Sequence, residues 1–138
     1  GRVVGVKDGD TISVMHDGQA ETIRIASIDT PEKAQAFGNR AKQFTSSLAF
    51  DQEVTVRPET RDRYGRTVAS VTLGDGRDLG EELVRAGFAW LYRKYSSDPT
   101  LARLESEARA ARRGLWADPN PVPPWEFRHT PRDKGEDN

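Results

Sequence analysis

The sequence predicts an α+β domain in which a small, closed, five-stranded β-barrel carries helices packed against it. Two observations point there. The N-terminal part reads as consecutive strands joined by tight turns, and further strands then alternate with amphipathic helical stretches. A length of 138 residues also suffices for one core without covalent staples, and with zero cysteines no disulfide is possible.

Taken in order, residues 2–6, 11–16 and 21–28 alternate apolar and polar positions, with Asp-Gly pairs at 8–9 and 17–18. Ile12 and Val14 share a face, as do Ile23 and Ile25, and these begin the core. By the same parity Asp10 extends the first apolar face and Asp29 the second, so each carboxylate ends a strand where a barrel rim can gather both. Arg24 has the opposite parity, so bringing it to the same place requires the strand to coil. Residues 34–50 read as a helix, with Phe37, Ala41, Phe44 and Leu48 three and four apart. Strands follow at 53–59 and 66–73, the second ending at Gly74-Asp75-Gly76. Residues 78–86 look helical and stop at Gly87, 88–91 are a short apolar run, and 99–113 form a charged amphipathic helix closed by Gly114.

The C-terminal part has another character. Residues 117–127 contain Pro119, Pro121, Pro123 and Pro124 with Trp125 and Phe127. Proline opposes a helix and the aromatics resist exposure, which predicts an extended segment lying across the body. From Arg128 onward the polar, charged composition predicts disorder. The expected organisation is therefore a domain at 1–116, a packed Pro/aromatic segment at 117–127 and a disordered tail at 128–138.

Composition narrows the function classes. A net charge of -1 opposes gripping nucleic acid by bulk attraction. The charges are uneven, however: residues 57–66 hold 4 basic residues against 2 acidic, and 85–113 hold 7 against 3, while 1–56 lean acidic. An acidic site beside a basic rim suits a metal-dependent enzyme acting on a polyanion. The absence of cysteine excludes a thiolate metal site, and the presence of only two histidines, His16 and His129, argues against a multi-histidine one. His16 reads as exposed, and Trp90, Trp116 and Trp125 read as packing residues. No apolar run approaches the roughly 20 residues of a membrane span. The chain opens on Gly1-Arg2-Val3 rather than Met, which predicts a mature or trimmed form.

Three short segments carry chemistry: Asp8-Gly9-Asp10-Thr11, then Arg24 with Asp29-Thr30-Pro31-Glu32, then Asp62-Arg63-Tyr64-Gly65-Arg66. Carboxylates alone suggest a hard cation and arginines alone an oxyanion; both together suggest metal-assisted attack on a phosphodiester. Asp8 reads as the turn residue, whereas Asp10 and Asp29 are the metal candidates. Glu32 follows Pro31, which fixes it beside the site as a general base, or else it is a first-turn acid facing a helix dipole. Arg24 and Arg66 can each present paired N–H donors to phosphate, though chemistry alone does not separate Arg66 from Arg63. Tyr64, Tyr92 and Tyr95 can stack on a base or donate to a terminal phosphate.

These segments, in this order, resemble the thermonuclease (staphylococcal nuclease-like) family, whose signature is DGDT, then an Arg on a strand ending in DTPE, then YGR. The resemblance runs from about Val3 to Trp116. It implies an OB-fold with three helices and a calcium-dependent endo/exonuclease of DNA and RNA with little sequence preference. Water would attack phosphorus and expel the 5′-oxygen, leaving 3′-phosphates. The resemblance assigns metal roles to Asp10, Asp29 and the main-chain carbonyl of Thr30. It makes Glu32 the catalytic glutamate, selects Arg66 beside Arg24 as phosphate clamp, and puts Tyr64, with Tyr92 or Tyr95, in the nucleotide pocket. Arg63 is taken as a substrate contact. Related OB modules in larger eukaryotic proteins bind RNA or modified peptides after losing these acids and arginines. Here all five are retained, which favours the nuclease over a non-catalytic nucleic-acid-binding module or a structural domain. Only Lys33-Ala34-Gln35-Ala36 separates Glu32 from Phe37, shorter than in the best-known member, which predicts easier access for bulky substrates. A monomer acting outside the cytoplasm, secreted or periplasmic, with no membrane contact, completes the expectation.

Overall fold

The structure is a computed structural model and describes residues 1–128, so the predicted disordered tail lies, Arg128 apart, outside the described residues. Strands β1 (Val3–Asp8), β2 (Thr11–His16) and β3 (Gln19–Ile25) form an antiparallel meander. β3 then pairs in parallel with β6 (Thr67–Thr72), which pairs antiparallel with β5 (Thr55–Arg61), giving the order β1-β2-β3-β6-β5.

The predicted closed barrel is not formed, because the ladder stays open between β1 and β5. Helix α1 (Gly38–Ala49) delivers the chain across the end of β1 through Asp51 at φ 62°. Residues before β5 bond instead to the start of β1 and the residues ahead of it: Asp51 N–H to the Val3 carbonyl at 2.9 Å, Val3 N–H to Gln52 at 3.0 Å and Val54 N–H to Gly1 at 2.9 Å. The five expected strands form this sheet, and among the described residues two short ones are added to them. The strand predicted over 21–28 breaks after Ile25, and β4 (Ile28–Asp29) pairs with β7 (Trp90–Leu91) in a separate sheet, Asp29 opposite Trp90.

Helices α2 (Leu79–Arg85) and α3 (Pro99–Ala110) begin behind Asp78 and Asp98, whose side chains accept from Glu81 N–H and from Thr100 and Leu101 N–H. The two stop signals meet in space: a Cβ on Gly114 would lie 2.4 Å from the Gly87 carbonyl oxygen, so both corners need glycine. α1 starts at Gly38 rather than at 34 because Phe37 is left-handed, φ 69°, and Gly38 lies against the Glu32 backbone, where a Cβ would be 1.9 Å from the carbonyl oxygen. The Pro-rich segment is not wholly extended either. A 3₁₀ turn at Gly114–Ala117 leads into it and a one-turn helix α4 (Pro124–Phe127) ends it, making four α-helices among the described residues in place of three. Pro123 and Pro124 occupy its cap and first turn, where a missing N–H costs nothing.

One core joins the inner sheet face to the helices through Ile12, Ile23, Ile25, Val71, Leu83 and Leu104. A second cluster gathers Trp90, Ala108, Leu115 and Trp116, with Phe37 and Trp125 packed on it. Glu105 of α3 is buried between them, and its carboxylate accepts the Leu91 N–H at 2.8 Å, Arg93 at 2.6 Å and Arg109 at 3.4 Å. This carboxylate ties β7, and with it β4 and Asp29, to α3. Removing it leaves the buried Leu91 N–H without its acceptor, while Arg93 and Arg109, about half exposed, turn to water. Glu105→Ala should therefore lower stability by about 1–3 kcal/mol. Glu105→Gln, which still accepts from Leu91, should cost less; equal urea midpoints for parent and Glu105→Ala would refute the tie.

Candidate active site

Arg24 organises the site. Its Nη1 donates to the carbonyls of Ile25 at 2.8 Å and Ile28 at 2.9 Å, spanning a kink at Ser27, whose φ is 71°. Its Nη2 lies 3.2 Å from Asp29 Oδ1 and 3.4 Å from Asp10 Oδ2. The parity conflict of the sequence is thus resolved by a left-handed serine that folds β4 back around the guanidinium, not by coiling of the strand. Tyr92 N–H to the Ser27 carbonyl, at 2.9 Å, holds the kink.

Asp10 sits in the two-residue turn between β1 and β2. Its Oδ1 accepts from the Thr11 hydroxyl and its Oδ2 from the Thr30 N–H, both at 3.0 Å. From α1, Thr45 donates its hydroxyl to the Gly9 carbonyl at 2.5 Å and fixes that turn. Burial alone would raise the Asp10 pKa, but Arg24 and the Thr30 and Thr11 hydrogen bonds hold it below the ordinary carboxylate range. Asp29 is only 1% exposed, and burial pushes its carboxyl up to about 6 despite Arg128 and Arg24, with Asp10 adding to the rise. Of the two buried acids, Asp29 is thus the one left short of positive charge. Beside them Thr30 Oγ1 is also buried.

This all-oxygen donor set fits a hard cation such as calcium, which takes about six to eight oxygens. Among the described residues no group of three or more His, Cys, Asp or Glu could hold a metal ion. A cation at Asp10 and Asp29 would thus draw its remaining ligands from carbonyl, water and substrate.

Glu32, Arg66, Arg63, Tyr64, Tyr92 and Tyr95 all line the same cleft as Asp10, Arg24 and Asp29, a hollow of ≈ 780 Å³. Arg66 is held by Asp62, Nε to Oδ2 at 2.6 Å, and lies 5.5 Å from the centre of the Tyr64 ring. Arg63 lies over the same ring at 5.2 Å but reaches none of the site carboxylates. Tyr64 and Tyr95 are 70% and 68% exposed. Tyr92 is different: Trp125 stacks on it at 5.3 Å and 7°, and Tyr95 meets it edge-on at 4.9 Å. Sequence reasoning missed Asp62 as the holder of Arg66, and missed Arg128, whose Nη2 is 2.7 Å from Asp29 Oδ2 and whose Nη1 is 2.7 Å from Glu32 Oε1. The Trp125 and Phe127 that precede Arg128 were the available signal that it docks.

The sequence profile of the family described as "Staphylococcal nuclease homologue" matches residues 22–118. A protein of Escherichia coli O157:H7 named "Uncharacterized endonuclease" is 49% identical over 129 residues, covering 94% of this chain and 84% of that protein. "Micrococcal nuclease" of Shigella flexneri is 43% identical over 138 residues, covering 93% and 79%. "Staphylococcal-like nuclease CAN1" of Arabidopsis thaliana is 37% identical over 110 residues, covering 80% of this chain but 34% of its own.

The charge shortage at Asp29 has a measurable sign. Its carboxyl titrates at about 6 in the fold against an ordinary 3.8, so the fold binds that proton more tightly than the unfolded chain does. Ionised Asp29 therefore weighs against the fold above pH 6, and the loss fades as pH falls from 6 toward 4. With divalent cations chelated, Asp29→Asn should be more stable than the parent at pH 7.5, by up to about 3 kcal/mol. The gap should close toward pH 4, and an Asn variant less stable than the parent at pH 7.5 would contradict this balance.

Proposed function

The chain belongs to the staphylococcal nuclease homologue family, and from that membership we propose that it is a calcium-dependent nuclease cleaving DNA and RNA with little sequence preference. The convergence of Asp10 and Asp29 on one guanidinium, in a cleft that Glu32 and Arg66 also line, supports this reading. Asp10, Asp29 and the Thr30 carbonyl would hold the cation, which when bound supplies Lewis-acid polarisation of the phosphodiester.

The protein's own groups do the rest. Glu32 accepts a proton from the attacking water at the cleft wall. Arg24 and Arg66 direct N–H forks at the non-bridging phosphate oxygens, where charge grows as phosphorus becomes pentacoordinate. Asp62 fixes the Arg66 fork before substrate arrives. Departure of the 5′-oxygen leaves a 3′-phosphate. The exposed rings of Tyr64 and Tyr95 offer stacking faces for bases, a contact worth roughly 1–3 kcal/mol that is indifferent to sequence. Arg61, Arg63 and Lys94 on the rim meet the polyanion.

Digestion of plasmid and RNA with calcium, magnesium or chelator tests the assignment: turnover is expected with calcium and none with chelator. Glu32→Gln should lower turnover by about 10²–10⁴-fold with little change in substrate binding. Arg24→Lys and Arg66→Lys should each cost about 10²–10³-fold in turnover. Nucleic-acid binding without turnover under every metal condition would point to a non-catalytic module instead.

Affinity for calcium rises with the number and charge of ligands, and two carboxylates with one carbonyl are few. A nucleotide phosphate adds a negative oxygen, so metal and nucleotide should bind with positive coupling. Calorimetric titration of calcium with and without a nucleotide bisphosphate measures this, and equal affinities would exclude it.

A further inference from the structure

Glu32 stands on a loop without regular structure between β4 and α1, where a proton acceptor would be free to wander. Among the described residues its carboxylate makes a single ion pair, with Arg128. The same guanidinium grips Asp29, Nη2 to Oδ2 at 2.7 Å and Nη1 to Oδ1 at 3.4 Å, and its Nη2 lies 3.5 Å from the Tyr92 hydroxyl. One rigid planar fork thus spans two carboxylates that would otherwise repel, and sets their separation.

The segment delivering Arg128 is anchored independently. Trp125 stacks on Tyr92 and meets Trp90 edge-on at 5.5 Å and 75°. Gln35 ties the loop itself to that segment: its Oε1 accepts the Glu32 N–H at 3.1 Å, and its Nε2 donates to the Val122 carbonyl. Two separate links, Arg128–Glu32 and Gln35–Val122, therefore join the Glu32 loop to residues 122–128, beyond the 22–118 stretch that the family profile matches.

We infer that this C-terminal segment is a positioning clamp for Glu32, with Arg128 as the positioning residue that aims its carboxylate and spaces it from Asp29. The inference rests on Glu32 acting as the proton acceptor only for its catalytic consequence, not for the clamp itself.

Steady-state kinetics and hydrogen exchange on the full chain test it. Arg128→Ala should lower kcat by about 10- to 100-fold, the usual cost of losing a partner that orients a ligand or base, with KM for an oligonucleotide little changed. Arg128→Lys should recover part of the loss, since an ammonium keeps the charge but cannot span both carboxylates. In a Glu32→Gln background Arg128→Ala should cost almost nothing more, because the residue acts through Glu32. Amides of the 31–37 loop should exchange at least about tenfold faster in Arg128→Ala and in Gln35→Ala. Full additivity of the Arg128 and Glu32 losses, or unchanged exchange in the loop, would overturn the clamp. So would an Arg128→Ala variant that is more active and binds calcium more tightly by calorimetry, since Arg128 would then be a plug competing with the cation. Should Glu32→Gln keep full activity while the loop still loosens in Arg128→Ala, the base role falls and the clamp stands.

Discussion

Asp10 and Asp29 are almost wholly removed from water, and a buried carboxylate survives only with compensating charge and hydrogen bonds. Arg24 provides that compensation for both, and its other nitrogen ties down the carbonyls on either side of the Ser27 kink. Backbone geometry and site electrostatics are therefore one construction. A serine at positive φ is disfavoured on its own, by roughly 1–2 kcal/mol. Here three hydrogen bonds to adjacent carbonyls offset the strain, two from Arg24 and one from the Tyr92 N–H.

The same construction explains why distant parts of the chain matter to the cleft. Asp29 keeps its place because β4 pairs with β7, β7 is bonded through Leu91 to Glu105, and Glu105 is packed into α3. Asp10 keeps its place because Thr45 of α1 holds the turn beneath it. Neither acid is supported by its own strand alone. The sheet, open between β1 and β5 but joined there by a short seam, fits the OB-like fold of its family and leaves the two carboxylates at one end.

Charge in the cleft is unevenly satisfied. Asp10 is held low by its neighbours while Asp29 stays high in spite of two guanidinium partners. Under the proposed function, this imbalance would favour a cation and a phosphate bound together over either singly, because each would relieve the charge left by the other. Arg66, already paired with Asp62 outside the acid pair, adds a fork without adding to the competition for Asp29. The aromatic stack of Trp125 on Tyr92 makes Tyr92 part of the cleft wall and leaves Tyr64 and Tyr95 as the open rings.

Short-range patterns made much of the molecule legible in the sequence. Alternation and Asp-Gly turns mark β1 to β3, and the glycine stops mark the ends of α2 and the α3 region, because period and turn chemistry act over a few residues. The segments around Asp10, Arg24, Asp29, Glu32 and Arg66 stood out by residue type at close spacing, and the fold brings them to one cleft. Three features were decided only by tertiary contacts. The break at Ser27 depends on β7 arriving from residues 90–91, and no local signal demands a left-handed serine. The sheet stays open because α1 and Asp51 set the approach to β1, a matter of direction in space rather than of periodicity. Arg128 belongs by composition to a polar tail, yet it enters the cleft because Trp125 finds Tyr92 and Trp90. Pairings between residues 36 to 99 positions apart are set by which surfaces meet after folding, and that information resides in no single segment of the chain.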